Sequence, residues 1–247
     1  MTDITVVIPV GPKENHVKWL KECLESVLNQ SHKPKEILLI NDTQQAFDVI
    51  DTFSQVLPNK LTYGGLHYTP YPKEYWFFED ASPPIRISCY NVPWNVGVPD
   101  AFNFGMALSD TNLVFMLGSD DTLMPECLAE CAAEYEKQKV EGWYNVTIVT
   151  SSGEEAWIPN NAAMVTKKLW EWTGGFPPSA GIGACDALLL SILMVHAPDR
   201  ILQVKQCTPL YWCRVHDQQD TPYHAGCFNP EVISVRSKET DRWTPKN

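Results

Sequence analysis

The sequence predicts an α/β protein whose mostly parallel central sheet is flanked by helices. The first observation is an apolar, β-branched run at 4–10, an amphipathic segment at 16–30 and a second apolar run at 36–40. Strand, helix and strand in this order form a right-handed crossover between parallel strands. The second observation is a continuous apolar run at 113–117 with a helical segment at 125–140 after it. Such a run is typical of a strand that is covered on both faces.

The composition is that of an ordinary globular protein with an acidic balance. The chain has 247 residues, of which 44% are hydrophobic and 20% charged, so it can bury a large core. Its net charge of −11 argues against a surface for nucleic acid or anionic lipid, because phosphates would not be neutralised. The N-terminus has no basic region and no long apolar segment. We therefore expect a cytoplasmic protein without a membrane segment.

The eight cysteines predict buried free thiols. None of them forms a Cys-x-x-Cys pair. Cys127 and Cys131 lie four residues apart on a predicted helix and could serve a metal, but no further His or Cys cluster lies near them in the sequence. Because disulfides are rare in reducing compartments, free thiols are the better interpretation.

The segment after the second strand departs from the regular alternation. A helix is predicted at 46–57, and the residues at about 60–94 are rich in aromatic side chains and proline, with a strand at 85–90. A connection this long without regular structure is uncommon in a compact domain and is usually functional or mobile. We interpret the insertion as a hairpin that shields one sheet edge, in preference to a lid over the substrate.

The remaining elements continue the α/β pattern without a linker that would divide the chain. We expect one domain at 1–221, with the insertion at about 60–94, and a polar C-terminal tail at 222–247. The pattern after the turn at 95–97 predicts helices at 100–108, 125–140, 168–172 and 184–195 and strands at 146–150, 161–165, 201–206 and 210–215.

Two carboxylates directly follow the strand at 113–117. The run ends on Gly118-Ser119-Asp120-Asp121, and ligands of open α/β sheets bind outside the carboxyl ends of the strands. Adjacent carboxylates repel each other unless a cation or hydrogen bonds compensate. A hard divalent metal with oxygen ligands would do so. The alternative is that Asp120 or Asp121 caps the helix that begins at 125.

Taken in order, the motifs of this chain resemble those of the family 2 glycosyltransferases, whose GT-A fold has a Rossmann-like central sheet. The similarity extends from Val6 to about Thr221 and depends on several blocks, which makes it more specific than one short pattern. The blocks are Val7-Ile8-Pro9-Val10, the run from Ile37 to Asp42, Asn95-x-Gly97, Ala101-x-Asn103-x-Gly105, Gly118-Ser119-Asp120-Asp121, Gly174-Gly175-Phe176 followed by Asp186, and Arg214-x-His216.

The resemblance implies a role for each matching position. Asp186 would be the catalytic base, and Asp120, Asp121 and His216 would hold Mn²⁺ or Mg²⁺. The positions implied to contact the nucleotide sugar are Pro9, Val10, Asp42, Asn95, Gly97, Asn103 and Ser119. Each assignment has a structural alternative: Asp186 could favour its helix start, His216 could be an ordinary surface or core histidine, and Asp42 could be a turn residue.

Two positions depart from the family pattern. Gly118 stands where the family usually has the first Asp of its metal motif, and Phe102 stands where many members have Arg. The retained Asp120 is the position that normally contacts the metal, so we expect metal binding with weaker or water-mediated contacts to the ribose. The insertion is longer than usual in the family, and no role is carried over to it.

The implied activity is the inverting, metal-dependent transfer of a sugar from a nucleoside diphosphate sugar to a hydroxyl acceptor. The expected donor is a UDP-sugar, and the acceptor could be a glycan, a small molecule or a hydroxylated base in DNA. The aromatic insertion could cradle an extruded base, although the acidic balance counts against DNA. A further alternative is a GT-A domain that binds a nucleotide sugar but has lost catalysis, which Gly118 and Phe102 favour.

Overall fold

The structure, a computed structural model, describes most of the chain in eight segments. The predicted helix at 46–57, the domain boundary at 221 and the tail at 222–247 lie outside them. The described residues are 2–12, 14–43, 61–67, 72–153, 155–156, 162–177, 185–205 and 208–216.

Strands dominate the described part of the chain. They are β1 (Ile4–Val10), β2 (Glu36–Asn41), β3 (Leu61–His67), β4 (Lys73–Phe78), β5 (Ile85–Asn91), β6 (Leu113–Met116), β7 (Thr122–Leu123), β8 (Trp143–Asn145), β9 (Thr147–Thr150), β10 (Glu155–Ala156), β11 (Ala163–Thr166), β12 (Ile201–Gln203) and β13 (Pro209–Cys213). The helices are α1 (Glu14–Lys18), α2 (Leu20–Leu28), α3 (Gly97–Leu108), α4 (Cys127–Gln138), α5 (Lys167–Thr173) and α6 (Cys185–His196), with a 3₁₀ turn at Pro198–Arg200. None of the described helices is long and apolar enough to cross a bilayer.

Within the described residues the strands form one large and one small sheet. The large sheet has nine strands in the order β12-β8-β11-β6-β1-β2-β5-β4-β3, and the small one has the order β10-β9-β13-β7. The central pairs β6–β1, β1–β2 and β2–β5 are parallel. The carboxyl ends of these four strands therefore share one sheet edge, where the predicted site residues follow them.

The two faces of the sheet carry separate hydrophobic cores, as the predicted parallel sheet requires. Side chains of a strand alternate between faces, so Val6 and Ile8 of β1 pack with α2 and α4. Val7 packs on the opposite face with α3 and α6. All three side chains are fully buried. The prediction of an α/β fold with helices on both faces is confirmed.

Three details of the predicted elements change in the structure. The segment at 16–30 forms two helices that are interrupted at Trp19 instead of one. The helix expected from 125 begins at Cys127. The insertion contains two strands besides the one predicted at 85–90: β3 and β4 form an antiparallel hairpin, and β4 pairs with β5. The hairpin extends one edge of the sheet, as the favoured interpretation holds.

A buried charge cluster joins the insertion to the amino end of β2. Glu36 is fully buried, and its carboxylate accepts hydrogen bonds from Lys73 Nζ (3.0 Å), Arg86 Nη2 (2.9 Å) and Ser88 Oγ (2.5 Å). Lys73 Nζ also donates to the Leu108 carbonyl at 3.1 Å. Lys73 is 1% exposed. A buried charge of this kind is tolerated only when it is paired, so the cluster fixes the position of the hairpin on the sheet.

A single buried amide connects α2 to the start of α4. Gln30 is fully buried. Its Nε2 donates to the Met124 carbonyl (2.8 Å), and its Oε1 accepts from the Leu128 backbone N–H (3.0 Å). The first N–H groups of a helix lack acceptors within the helix. Gln30 supplies an acceptor for one of them, the N–H of Leu128. The helix that follows the Asp120-Asp121 pair is thereby anchored to α2.

The described cysteines agree with the prediction of free thiols. Cys23, Cys89, Cys127, Cys131 and Cys213 are all buried, and none of these five is in a disulfide. Burial raises the pKa of Cys89 to about 12 and raises the pKa of Cys23 and Cys127 as well. Cys23, Cys89 and Cys127 therefore stay protonated and unreactive at neutral pH.

Candidate active site

The site is built on a tight turn at the end of β6. The Leu117 N–H donates to the Val7 carbonyl (3.1 Å), which continues the pairing with β1, and the Asp121 N–H then donates to the Gly118 carbonyl (3.2 Å). A Cβ at position 118 would lie 2.9 Å from Asp121 Oδ2 and 3.0 Å from Asp120 Oδ1. Glycine is thus the residue that lets both carboxylates close over the tip of the strand.

Asp120 and His216 meet at this tip although 96 residues separate them in the chain. His216 Nε2 lies 2.9 Å from Asp120 Oδ2, and the two side chains are 8% and 18% exposed. Two ligands at right angles around an octahedral Mg²⁺, each about 2.1 Å from the ion, lie about 3.0 Å apart. The two side chains are in direct hydrogen-bond contact, and the same spacing would suit two neighbouring ligands of a small divalent ion.

The described residues provide no larger protein cage for a metal. Among them, no group of three or more His, Cys, Asp or Glu side chains could hold an ion. This agrees with the chemistry of Mg²⁺, which usually keeps several waters and binds one or two carboxylates together with substrate phosphates. The donor set fits an ion that arrives with a nucleotide better than one that stays without it.

Asp121 is occupied by internal hydrogen bonds. Its Oδ2 accepts from the Tyr211 hydroxyl (2.6 Å) and its Oδ1 from the Arg214 backbone N–H (2.8 Å), and the residue is 6% exposed. Burial, and after it the charge of Asp120, raises the pKa of Asp121 to about 7. Both oxygens already have partners, so Asp121 ties β13 to the turn after β6.

Arg214 extends this connection to the first crossover. Its Nε donates to the Asp120 carbonyl at 3.0 Å, and its Nη2 forms an ion pair with Glu22 on α2. The guanidinium lies 4.7 Å from the ring centroids of both Trp19 and Trp212. Arg214 is thus held between two indoles, an arrangement that favours a planar cation.

Asp42 forms a second centre at the ends of β1, β2 and β5. Its backbone N–H donates to the Val10 carbonyl at 2.9 Å. Its carboxylate accepts from the Val96 N–H (2.8 Å), the Gly97 N–H (2.9 Å) and Asn95 Nδ2 (3.2 Å). Burial raises the pKa of Asp42, and the bonds from Val96 and Gly97 lower it in part. Asp42 therefore holds the start of α3, next to the backbone that would face a nucleotide.

Asn103 connects α3 to the Gly174-Gly175-Phe176 block. Its Oδ1 accepts from Trp170 Nε1 and the Phe176 N–H, both at 2.8 Å, and its Nδ2 donates to the Phe176 carbonyl at 3.0 Å. Gly175 has φ +96°, and a Cβ there would lie 2.8 Å from Asn103 Oδ1. Asn103 thus positions the chain that leads towards α6.

The other predicted site residues lie at the ends of these elements. Pro9 pairs with β2 near the end of β1, and Ser119 is 3% exposed in the turn after β6. Asp186 is half-buried in the first turn of α6. The contacts therefore bring together Asp120, Asp121 and His216 in one group, and Val10, Asp42, Asn95 and Gly97 in another. The role of Asp186 as catalytic base stays a prediction.

Three aromatic residues lie around this site: sequence reasoning missed Tyr211 and Trp19, and it assigned Trp212 to the core. Tyr211 is 1% exposed, and its hydroxyl accepts from the Gly118 N–H (3.2 Å) while it donates to Asp121. The proximity of Tyr211 and Trp212 to the Arg214-x-His216 motif is a signal that could have suggested them. For Trp19 no comparable signal exists in the sequence.

A central segment of the chain matches a known protein family. Residues 76–178 match the model of "Glycosyl transferase family 2". This range includes the Asn95-x-Gly97 turn, the β6 tip with Asp120, and the Gly174-Gly175-Phe176 block. This segment is thus similar to the family that the motifs predict, and the observed sheet with helices on both faces agrees with the predicted GT-A fold. No curated protein sequence matches the chain.

Solved structures of S. aureus TarS share the fold of this chain. The crystal structure of TarS 1–349 in complex with UDP-GlcNAc has a TM-score of 0.67 and 15% sequence identity, and the match covers 96% of this chain and 66% of that chain. The complex of TarS 1–349 with UDP has a TM-score of 0.65 at 15% identity, with 97% and 64% of the two chains covered. The chain thus spans slightly less than two thirds of these neighbours.

Proposed function

We propose that this chain is a glycosyltransferase that moves a sugar from a UDP-sugar to a hydroxyl acceptor with inversion at the anomeric carbon. The observation that carries the proposal is the Asp120–His216 pair, whose side chains meet 2.9 Å apart at the end of the central strand. The family 2 match across this strand supports the reaction class. The complexes of TarS with UDP and UDP-GlcNAc support uridine as the nucleoside of the donor.

Of the three predicted metal ligands, we assign Asp120 and His216 to Mn²⁺ or Mg²⁺ and Asp121 to the support of the strand tip. The ion would supply positive charge to the departing diphosphate. Asp120 and His216 would hold the ion in place. Arg214 would fix the backbone of Asp120, because its Nε donates to the Asp120 carbonyl. The sheet edge with Val10, Asn95 and Gly97 would receive the nucleoside.

Asp186 is proposed as the general base. It would accept the proton of the acceptor hydroxyl while the oxygen forms a bond to the anomeric carbon. The bond from that carbon to the diphosphate would break on the opposite side, and the diphosphate would leave with the electron pair. Attack from the face opposite to the leaving group inverts the configuration, and no covalent enzyme intermediate is needed.

A donor screen tests the activity. Purified protein would be mixed with individual UDP-sugars and Mn²⁺, and UDP release would be measured together with the thermal shift of the protein. A true donor should raise the melting temperature, because it binds the native state, and it should release UDP slowly by hydrolysis. Loss of both effects for every UDP-sugar, with and without added hydroxyl acceptors, would contradict the proposal.

Two carboxylate variants separate binding from chemistry. Asp186→Asn should keep the thermal shift with the donor but lower turnover by roughly 10²–10⁴-fold, the usual contribution of a general base. Asp120→Asn should weaken the shift that depends on Mn²⁺. Asp199→Asn, in the exposed 3₁₀ turn after α6, is the matched control and should behave as wild type. Equal turnover in Asp186→Asn and wild type would remove Asp186 from the mechanism.

The inactive nucleotide-sugar binder is the second candidate, and Gly118 is the feature that favours it. This alternative expects a thermal shift with a UDP-sugar but no UDP release from either the wild type or Asp186→Asn. The same two measurements therefore distinguish it from the enzyme.

A further inference from the structure

Trp19 lies between α1 and α2 and contacts two residues of the C-terminal Arg214-x-His216 segment. Its ring centroid is 4.8 Å from that of His216, with an interplanar angle of 43°. The Arg214 guanidinium lies 4.7 Å from the same Trp19 ring. Trp19 is half-buried, and it interrupts what the sequence predicts as one helix. A single side chain of the first crossover therefore lies against both members of a motif near residue 215.

The contacts of Trp19 restrict where the His216 ring can lie. Arg214 cannot move freely, because Trp212 covers it at 4.7 Å and its Nε donates to the Asp120 carbonyl. With Arg214 fixed, the indole of Trp19 forms a wall beside the His216 imidazole. The Nε2 atom of the imidazole lies 2.9 Å from Asp120 Oδ2. The ring is thus placed between an aromatic wall and a carboxylate.

We propose that Trp19 is a positioning residue that holds the His216 imidazole against Asp120 at the spacing a divalent cation needs. The inference rests on the proposed function for the identity of the ion, but the Trp19–His216–Asp120 arrangement can be tested without any metal. Trp19 acts here through His216 and does not touch the reacting atoms. Replacing Trp19 should therefore weaken the ion site through the loss of an ordered imidazole.

The first measurement reports the position of His216 in the metal-free protein. The ¹⁵N resonances of the imidazole are recorded for wild type, Trp19→Leu, Trp19→Phe and Asp120→Asn, with His216→Gln to assign the signal. In Trp19→Leu the Nε2 resonance should move towards its value in Asp120→Asn, because contact with the carboxylate is lost. Trp19→Phe should stay close to wild type. Trp172→Leu is the matched control, since it removes a half-buried indole from another arginine, Arg200, away from this site.

The second measurement reports the affinity for the ion without turnover. Free Mn²⁺ is titrated by electron paramagnetic resonance in the presence of UDP. Trp19→Leu should weaken Mn²⁺ binding about tenfold, and Trp172→Leu and Trp19→Phe by less than about twofold. In a His216→Gln background, Trp19→Leu should have no further effect, because a positioning residue acts only through the group it positions.

The outcomes separate the two proposals. An unchanged Nε2 resonance of His216 in folded Trp19→Leu overturns the positioning role, whatever the metal does. A full tenfold loss of Mn²⁺ affinity that persists in the His216→Gln background overturns it as well. Wild-type protein that binds neither Mn²⁺ nor UDP overturns the proposed function instead, and the imidazole resonances then still decide the role of Trp19.

Discussion

In the absence of a metal, an acidic residue at position 118, where family 2 glycosyltransferases usually have Asp, should lower the free energy of unfolding of this protein. Gly118→Ala adds a Cβ that would lie 2.9 Å from Asp121 Oδ2, 3.0 Å from Asp120 Oδ1 and 3.4 Å from the Tyr211 hydroxyl. The Asp121 oxygen cannot move away cheaply, because Tyr211 donates to it at 2.6 Å. Gly118→Asp adds the same Cβ and a third carboxylate.

The expected magnitudes follow from these contacts. Insertion of a methyl group into a packed site destabilises by about 1–3 kcal/mol, which is the expectation for Gly118→Ala. A further carboxylate near Asp120 and Asp121 repels them. Two like charges about 4 Å apart at an effective dielectric constant of about 20 repel by about 4 kcal/mol. The new side chain can turn partly towards solvent, which reduces this repulsion. We therefore expect the free energy of unfolding of Gly118→Asp to be about 2 kcal/mol lower than that of Gly118→Ala.

Urea denaturation followed by circular dichroism measures both effects. The two variants and wild type are unfolded in buffer with EDTA and again with millimolar Mn²⁺. Mn²⁺ should recover part of the loss in Gly118→Asp and none of it in Gly118→Ala, because only the former adds a ligand. A Gly118→Ala variant within 0.5 kcal/mol of wild type would refute the packing argument. A Gly118→Asp variant more stable than Gly118→Ala in EDTA would refute the charge argument.

Three other substitutions test the supports of the site. Lys73→Met leaves the buried Glu36 carboxylate without one of its charged partners and should lower the free energy of unfolding by about 3–5 kcal/mol. Asp42→Asn should lower it by about 1–3 kcal/mol, because an amide NH₂ would face the Gly97 N–H. The raised pKa of Asp42 means that the folded state binds its proton more tightly than the unfolded chain; its contribution to stability therefore falls as the pH rises above about 4, a fall that the variant lacks. Gln30→Ala should lower the free energy of unfolding by about 2–4 kcal/mol, because two buried backbone groups lose their partner.

Each of these substitutions has a control or a contrary outcome. Lys35→Met removes an ion pair to Asp3 in which both side chains are about half exposed, and it should change stability by less than about 1 kcal/mol. Equal losses in Lys73→Met and Lys35→Met would show that the burial of Glu36 does not matter. A pH profile of Asp42→Asn parallel to that of wild type between pH 4 and 7 would contradict the raised pKa. Wild-type stability of Gln30→Ala would mean that water replaces the amide.

The sequence was most informative where one physical signal dominated. The strands β1, β2 and β6 were predictable because fully buried parallel strands have continuous apolar runs. The hairpin was harder to predict, because β3 contains Gly64-Gly65 and β4 begins with Lys73, whose burial depends on Glu36 far away in the chain. Local periodicity does not reveal a pair of charges that cancel across three strands.

The site was predictable from its motifs but not from spacing alone. The encounter of Asp120 with His216 across 96 residues followed from the family resemblance. The structure adds that Asp42, Asp121 and Asn103 hold backbone groups with most of their hydrogen-bonding atoms. An Asp after a strand is compatible with both roles, and only the partners across the fold distinguish them. Trp19 escaped notice because an aromatic residue in an amphipathic segment normally belongs to the core.

The order in which the chain is synthesised gives the position of His216 a particular meaning. The nine-stranded sheet gains its last strand at Ile201–Gln203, whereas Tyr211, Arg214 and His216 come after it. A ribosome-bound chain that has exposed its residues only as far as 205 could already assemble the whole large sheet. It would still lack Arg214 and His216, which bond to Asp120. The scaffold can therefore form before His216 reaches Asp120, and the proposed ion site would be completed only by residues 209–216.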